Sequence, residues 1–228
     1  MIEVMNLEKK YGRKKVLDDI SFTANKGEIT CLIGINGVGK TTTLKAIMGL
    51  TPYKGTILID GEKLTKDSYE KITFIPDAIT MLPNMTIKEA FLFMEDFYTA
   101  WNKERAAELL TFFKLKEDYK IAELSKGNTA KVNLILGLAL DVDYLLMDEP
   151  FSGIDMFSRE QIADVFSSHL IEERGVLITT HEISDIEHLI DKVVLMDNGR
   201  VLKEFSTEGM RASEGKSVVD VMREVYQG

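Results

Sequence analysis

Apolar and polar positions alternate at the start of the chain, at Ile2 and Val4 and again at Leu17, Ile20 and Phe22, with turn signals at Tyr11-Gly12 and Lys26-Gly27. Period-two spacing punctuated in this way predicts antiparallel strands. An unbroken apolar run over residues 29–33 predicts a buried strand, and residues 42–50 a helix. Residues 55–60 read as another strand, turning at the hairpin pair Asp60-Gly61, and residues 72–75 as a short strand ended by Pro76. The period then lengthens. From Thr86 to Leu140 apolar residues recur at threes and fours, through Ile87, Ala90, Phe91 and Met94, then Ala107, Leu110 and Phe113, which predicts helices. Thr86 with Glu89 is the pattern of a capping box. Residues 144–147 are uniformly apolar, as a parallel strand covered on both faces requires. Helices over 159–172, 184–190 and 218–226, strands over 176–179 and 193–196, and a hairpin signal at Asp197-Asn198-Gly199 complete the pattern.

Alternating strands and helices on both sides of a helical stretch predict one α/β domain over residues 1–228. Its core comprises residues 1–85 and 141–228, with antiparallel strands at the N-terminus, a mostly parallel sheet, and an α-helical subdomain inserted at about 86–140. Composition is ordinary for a globular protein, at 45% hydrophobic and 29% charged residues. A formal net charge of −9 argues against nucleic acid as a partner, because that binding depends on basic residues neutralising phosphates. No apolar run approaches the roughly 18 residues of a membrane span; the longest, 132–140, contains Asn133. Glu3 and Asn6 stand where a signal peptide needs a basic region and an apolar stretch. The one cysteine, Cys31, falls in a predicted buried strand and points to packing in a reducing, cytoplasmic compartment.

The chemistry concentrates at Gly34-Ile35-Asn36-Gly37-Val38-Gly39-Lys40-Thr41-Thr42. This is the G-x-x-x-x-G-K-T phosphate loop, set between a predicted strand and a predicted helix. Gly34, Gly37 and Gly39 are expected to open conformations closed to other residues, so that backbone N–H groups turn inward beside the helix N-terminus. Lys40 would neutralise β- and γ-phosphates and the Thr41 hydroxyl would ligate Mg²⁺. A second apolar strand ends in Asp148 and Glu149. Adjacent residues on a strand point to opposite faces, so Asp148 can support Mg²⁺ through water while Glu149 takes a proton from an attacking water.

With these motifs in place the chain resembles the ATP-binding cassette of ABC transporters over nearly its whole length. The resemblance implies a P-loop NTPase core of the RecA-like kind, ATP and Mg²⁺ as cofactors, and ATP hydrolysis. Tyr11 matches the aromatic that stacks on adenine. Leu124-Ser125-Lys126-Gly127-Asn128 falls at the L-S-G-G-Q signature, Ser152-Gly153-Ile154-Asp155 at the D-loop, and His181 at the switch histidine that contacts the γ-phosphate. His169 and His188 fall in helical patterns and are expected to be solvated. The family's mechanism pairs two cassettes head to tail, so that Ser125 and Gly127 of one cap the γ-phosphate held by Lys40 of the other. The helical subdomain rotates when that phosphate is present.

Two of the four departures from the family pattern are charged. Asp77 stands at the Q-loop position, Lys126 replaces the first signature glycine, Asn128 the signature glutamine, and Met156 a D-loop proline. A negative charge at Asp77 would attract Mg²⁺ and repel phosphate. Residues 82–87 and the signature resemble the YtrB-like exporter branch, whose membrane half is a separate chain. The resemblance implies an integral membrane partner, a second cassette as homodimer or heterodimer, and a place on the inner face of the cell membrane. Ile79, Met81 and Leu82 are expected to receive the membrane subunit, and Phe91 and Met94 to belong to the subdomain's own core. The stretch 206–228 is too short for a regulatory domain of the importer type, which leans towards export. Three readings compete. A soluble ABC machine of translation or DNA repair would want a second cassette or a long coiled coil. A GTPase would want a guanine-reading segment, for which Leu64-Thr65-Lys66-Asp67-Ser68 carries Asp67 where the variable residue belongs. A regulatory ATP-binding subunit with little turnover is favoured by Asp77 and opposed by Glu149.

Overall fold

The described residues are 1–168, 171, 173–181, 183–184 and 186–227 of a computed structural model. The strands in chain order are β1 (Ile2–Tyr11), β2 (Lys14–Ala24), β3 (Ile29–Ile33), β4 (Lys54–Ile59), β5 (Glu62–Lys63), β6 (Ile72–Ile75), β7 (Tyr144–Asp148), β8 (Gly175–Thr180), β9 (Lys192–Asp197) and β10 (Arg200–Ser206). The helices are α1 (Lys40–Ile47), α2 (Ile87–Phe97), α3 (Lys103–Phe112), α4 (Lys126–Leu138), α5 (Met156–Phe166), α6 (Thr207–Glu214) and α7 (Val218–Gln227). One sheet is antiparallel, in the order β2-β1-β4-β5. The other runs β10-β9-β3-β8-β7-β6, parallel from β9 to β6 with β10 antiparallel at its edge. This is the α/β architecture the periodicity predicts.

Alternation along the parallel strands divides the interior in two. Ile33 of β3, Met147 of β7, Ile178 of β8 and Leu195 of β9 join the cluster that includes α2 to α5. Leu32, Leu146, Leu177 and Val194 join the cluster of α1 and the antiparallel sheet. Both faces are covered, which is why β7 and β8 are buried at every residue. Cys31 is fully buried in β3, and burial pushes its thiol up, so it packs rather than reacts.

β1 changes phase midway. Ile2 and Val4 are buried, then Leu7 and Lys9. The extra residue is absorbed near Asn6, whose φ is 50°, with register shifts against both neighbouring strands. This is a β-bulge. Gly55 of β4 lies against it with φ 104°, and a Cβ there would collide with the carbonyl oxygens of Met5 and Asn6. Past the bulge, Lys9 Nζ donates to the Pro52 carbonyl at 2.6 Å, and Tyr11 lies beside Thr51 and Thr42.

The helical stretch begins with the expected capping box. Thr86 Oγ1 accepts from Glu89 N at 3.2 Å, and Thr86 N donates to Glu89 Oε2 at 2.7 Å. These helices share one continuous apolar cluster with the sheet. α4 is the link: Gly137 lies flush on Ile75 of β6, and Asn133 Nδ2 donates to the Pro76 carbonyl at 2.6 Å.

Four elements differ from expectation. α1 starts at Lys40, two residues before the predicted 42. α5 starts at Met156 rather than 159, because the Asp155 carboxylate caps it by accepting from Ser158 N at 2.9 Å, and it ends at Phe166. In 184–190 the described residues form only a short 3-10 turn, Glu187–Leu189. Buried Ile183, Ile186 and Ile190 keep helical spacing there, while the Glu187 carboxylate is taken by Arg211 at 2.9 Å and by Val218 N at 3.1 Å. α6 carries no apolar period, since only Thr207 and Met210 are buried in it; its signal is the cap, Ser206 Oγ accepting from Gly209 N at 2.8 Å. His188 is exposed. His169, Glu172 and Asp185 lie outside the described residues.

Candidate active site

The loop between β3 and α1 leaves the carboxyl edge of the parallel sheet, where α/β folds gather their ligands. Gly37 and Gly39 have φ of 86° and 113°, conformations that L side chains resist. Gly34 does not: it needs space, because a Cβ would press on the Met196 carbonyl and on Val38. The expectation that all three glycines serve a forbidden conformation is corrected to two. Tyr226 of α7 donates to that same Met196 carbonyl at 2.6 Å, so α7 buttresses the base of the loop. Ile35, Asn36 and Gly37 form an exposed tip, Val38 to Lys40 are buried, and Thr41 and Thr42 are half-buried. Gly39 caps α1 with no side chain, and the first turn holds no acid, which leaves the positive helix end open to an anion.

Lys40 is 5% exposed, and its ammonium donates to the Gly34 carbonyl at 2.7 Å and pairs with Glu149 Oε1 at 3.2 Å. The other Glu149 oxygen lies 2.9 Å from His181 Nδ1. Thr41 Oγ1 donates to Asp148 Oδ1 at 3.0 Å, and Thr179 Oγ1 donates to the same oxygen at 2.6 Å. The sequence brings the two carboxylates together, but strand alternation does not separate them. Asp148 ends β7, and Glu149 follows it with φ 48°. That left-handed turn is held by the Glu149 N–H, which donates to Thr179 Oγ1 at 3.0 Å and to the Thr179 carbonyl at 3.1 Å. Burial pushes Asp148 above the usual carboxylate range, opposed by its two threonine hydrogen bonds and reinforced by the negative charges of Asp77 and Glu149.

Asp77 lines a cavity of about 250 Å³ with Ile79, Lys126, Asn133, Glu149 and Ser152. Ser125, Gly127 and Asp155 form a second group at the junction of α4 and α5. Ser125 caps α4, accepting from Asn128 N at 3.2 Å. Gly127 is buried flush against Asp155 and Ser158. Both Asp155 oxygens accept from Ser158, at 2.9 and 2.7 Å. Tyr11 is 49% exposed at the end of β1. Among the described residues no three of His, Cys, Asp and Glu lie close enough to hold a metal, so any Mg²⁺ here would have few protein ligands.

A buried lysine at the end of a phosphate loop, with a carboxylate 3.2 Å from its ammonium, has the parts of a nucleotide hydrolase. The model of the family described as ABC transporter matches residues 17–152. The chain belongs to the ABC transporter family. It is an ATP-binding cassette and an ATPase. A Nod factor export ATP-binding protein I from Burkholderia orbicola is 35% identical over 96% of the chain and 76% of its own length. The linearmycin resistance ATP-binding protein LnrL from Bacillus subtilis is 34% identical over 89% of the chain and 68% of its own length. A solved ATP-binding subunit of an ABC transporter superposes with a TM-score of 0.87 at 28% identity, covering 99% of both chains. A dimeric bacterial ABC transporter cassette superposes at 0.79 with 25% identity, over 90% of the chain and 98% of its own. Cassettes of this family work as pairs with a membrane subunit. Among the described residues no helix is long and apolar enough to cross a membrane.

Three supporting residues escaped the sequence reading of this cassette. Thr179 joins Asp148 to Glu149; its only signal is a hydroxyl at the end of an apolar strand. Tyr226 and Lys9 act through contacts distant in sequence, which no local pattern announces.

Proposed function

We propose that this cassette powers export through a separate membrane subunit, from the inner face of the cell membrane, by pairing with a second cassette across ATP. The export direction draws on relatives named for Nod factor export and linearmycin resistance. The observation that carries the membrane partner is a cavity of about 550 Å³ between β6 and α2 and α4, lined by Phe74, Met81, Leu82, Met85, Phe93 and Tyr98. Leu82 is 68% exposed, an apolar side chain left at the rim of an apolar cavity. Flexible methionines suit an adaptable docking surface. Met94 is buried, and Phe91 packs on Trp101 at 5.4 Å between ring centroids, so those two serve the protein's own core.

At the site, Lys40 and the loop N–H groups bind the phosphates. Phosphate oxygens compete with Glu149 for the Lys40 ammonium, and so release the Glu149 carboxylate to accept a proton from the attacking water. A positioned base contributes about 10²- to 10⁴-fold. His181 orients Glu149 through the 2.9 Å contact and reaches towards the γ-phosphate. Thr41 and Asp148, with Asp77 beside them, fit Mg²⁺, which supplies charge neutralisation when bound. Ser125, Gly127 and Asp155, grouped at the start of α4 and α5, face the nucleotide of the second cassette.

The test is to purify the cassette with its membrane subunit, reconstitute both in vesicles, and compare Leu82→Asp with the unaltered protein. ATP binding is expected to survive while ATP-driven transport is lost. Intact transport would overturn the docking surface, and no co-purifying polytopic membrane protein would overturn the transporter reading.

A further inference from the structure

Tyr11 is not an isolated aromatic. The Lys9 ammonium lies over its ring, 4.7 Å from the centroid. Lys9 and Tyr11 are two apart on β1 and share a face, the one to which the bulge at Asn6 has turned the strand. Lys9 is 7% exposed, unusual for a lysine, and among the described residues no carboxylate lies within ion-pair distance of it. Its compensation is the Pro52 carbonyl at 2.6 Å and the Tyr11 ring. Pro52 closely follows α1, so the ammonium ties β1 to the segment behind the phosphate loop. Thr51 lies beside the Tyr11 hydroxyl, and with smaller help from the Lys9 charge it holds the phenol below its usual range. A cation against one face fixes a ring in place and draws electron density from the other face.

We propose that Lys9 is a positioning residue for nucleotide-base recognition: it holds the Tyr11 ring against one face, so that the opposite face stacks on the adenine of ATP. This rests on the reading of Tyr11 as the adenine-stacking residue. The role is confined to the base. The phosphates are held by Lys40 and the glycine loop, and Lys9 contributes nothing to the proton transfer at Glu149.

The experiment compares Lys9→Met, Lys9→Arg, Tyr11→Leu and the Lys9→Met/Tyr11→Leu double variant, each first matched for thermal unfolding. Affinities for Mg·ATP and for magnesium tripolyphosphate, which lacks a base, are measured by calorimetry, with KM and kcat for ATP. Lys9→Met is expected to weaken Mg·ATP about three- to five-fold, the lower end for a cation–π contact. KM should rise to match, while kcat and tripolyphosphate affinity hold. Lys9→Arg should restore ATP affinity, and Lys9→Met should add no further loss once Tyr11 is leucine. Equal losses for ATP and tripolyphosphate, or a loss that persists in the double variant, would overturn the proposal by showing that Lys9 only supports the fold. If Tyr11→Leu weakens ATP but Lys9→Met does not, Lys9 has no part in positioning and the stacking reading stands. If Tyr11→Leu leaves ATP affinity unchanged, the stacking reading itself fails and takes this proposal with it.

Discussion

Glu149 is the residue on which the site turns. Its backbone sits at φ 48°, and its two oxygens face Lys40 at 3.2 Å and His181 at 2.9 Å. Such a conformation costs on the order of 1–3 kcal/mol and persists only where the surroundings over-determine it. Here Thr179 does so, through two contacts to the Glu149 N–H. Glu149→Gln keeps the shape and removes the proposed base. ATPase turnover is expected to fall about 10²- to 10⁴-fold with ATP affinity retained, as single-turnover assays and nucleotide titration would show. Thr179→Val is a subtler change at the same place, since it removes a hydrogen bond to the Asp148 carboxylate and one of the two that hold the Glu149 N–H. Lys40, Thr41, Asp148 and Glu149 were legible as candidates because each sits in a fixed local spacing, and His181 because it matches the family's switch histidine. Thr179 was not, because its function is a contact across two parallel strands.

At the scale of elements, the bulge in β1 has the widest reach. Without it the alternation begun at Ile2 and Val4 would put Leu7, Lys9 and Tyr11 on the opposite face. Gly55 makes room for it, both by its φ of 104° and by lacking a Cβ that would strike Met5 and Asn6. Gly55→Ala is expected to destabilise the fold by about 2 kcal/mol or more. Because the bulge aims Tyr11, it should also weaken ATP binding more than tripolyphosphate binding. Denaturant unfolding and the two affinities check this, and a stability loss with both affinities intact would separate the bulge from nucleotide recognition. Capping explains the starts of α2, α5 and α6. Thr86 with Glu89 was readable as a box, whereas Asp155 pulled α5 forward through a contact with Ser158 that the apolar pattern does not encode. α6 shows the converse, a helix held by its Ser206 cap with too few buried residues to leave a period.

For the whole molecule, the site is assembled at a cost in stability. Asp148 is 3% exposed and pushed above its ordinary value of 3.8 by burial, with Asp77 and Glu149 adding to the effect. A carboxylate raised in this way contributes its stability below the unfolded value, and loses it as pH rises through the folded one. Ionising Asp148 therefore works against the fold until a cation offsets the charge. In chelator at pH 7, Asp148→Asn is expected to raise Tm while ATPase activity is lost, and the gain in Tm should vanish in acid. A lowered Tm at pH 7 would show that the hydrogen bonds from Thr41 and Thr179 outweigh the buried charge. By itself the sequence determined the α/β order of elements, the phosphate loop, the carboxylate pair and the family, because all of these are written in short spacings and in hydrophobic period. Only the tertiary structure decided which way Glu149 turns, that Thr179 links the Asp148 carboxylate to the Glu149 backbone, and that Lys9 lies on Tyr11. Those depend on a left-handed residue, a pairing across the sheet and a bulge matched to a distant glycine, and such long-range contacts leave no periodic trace along the chain.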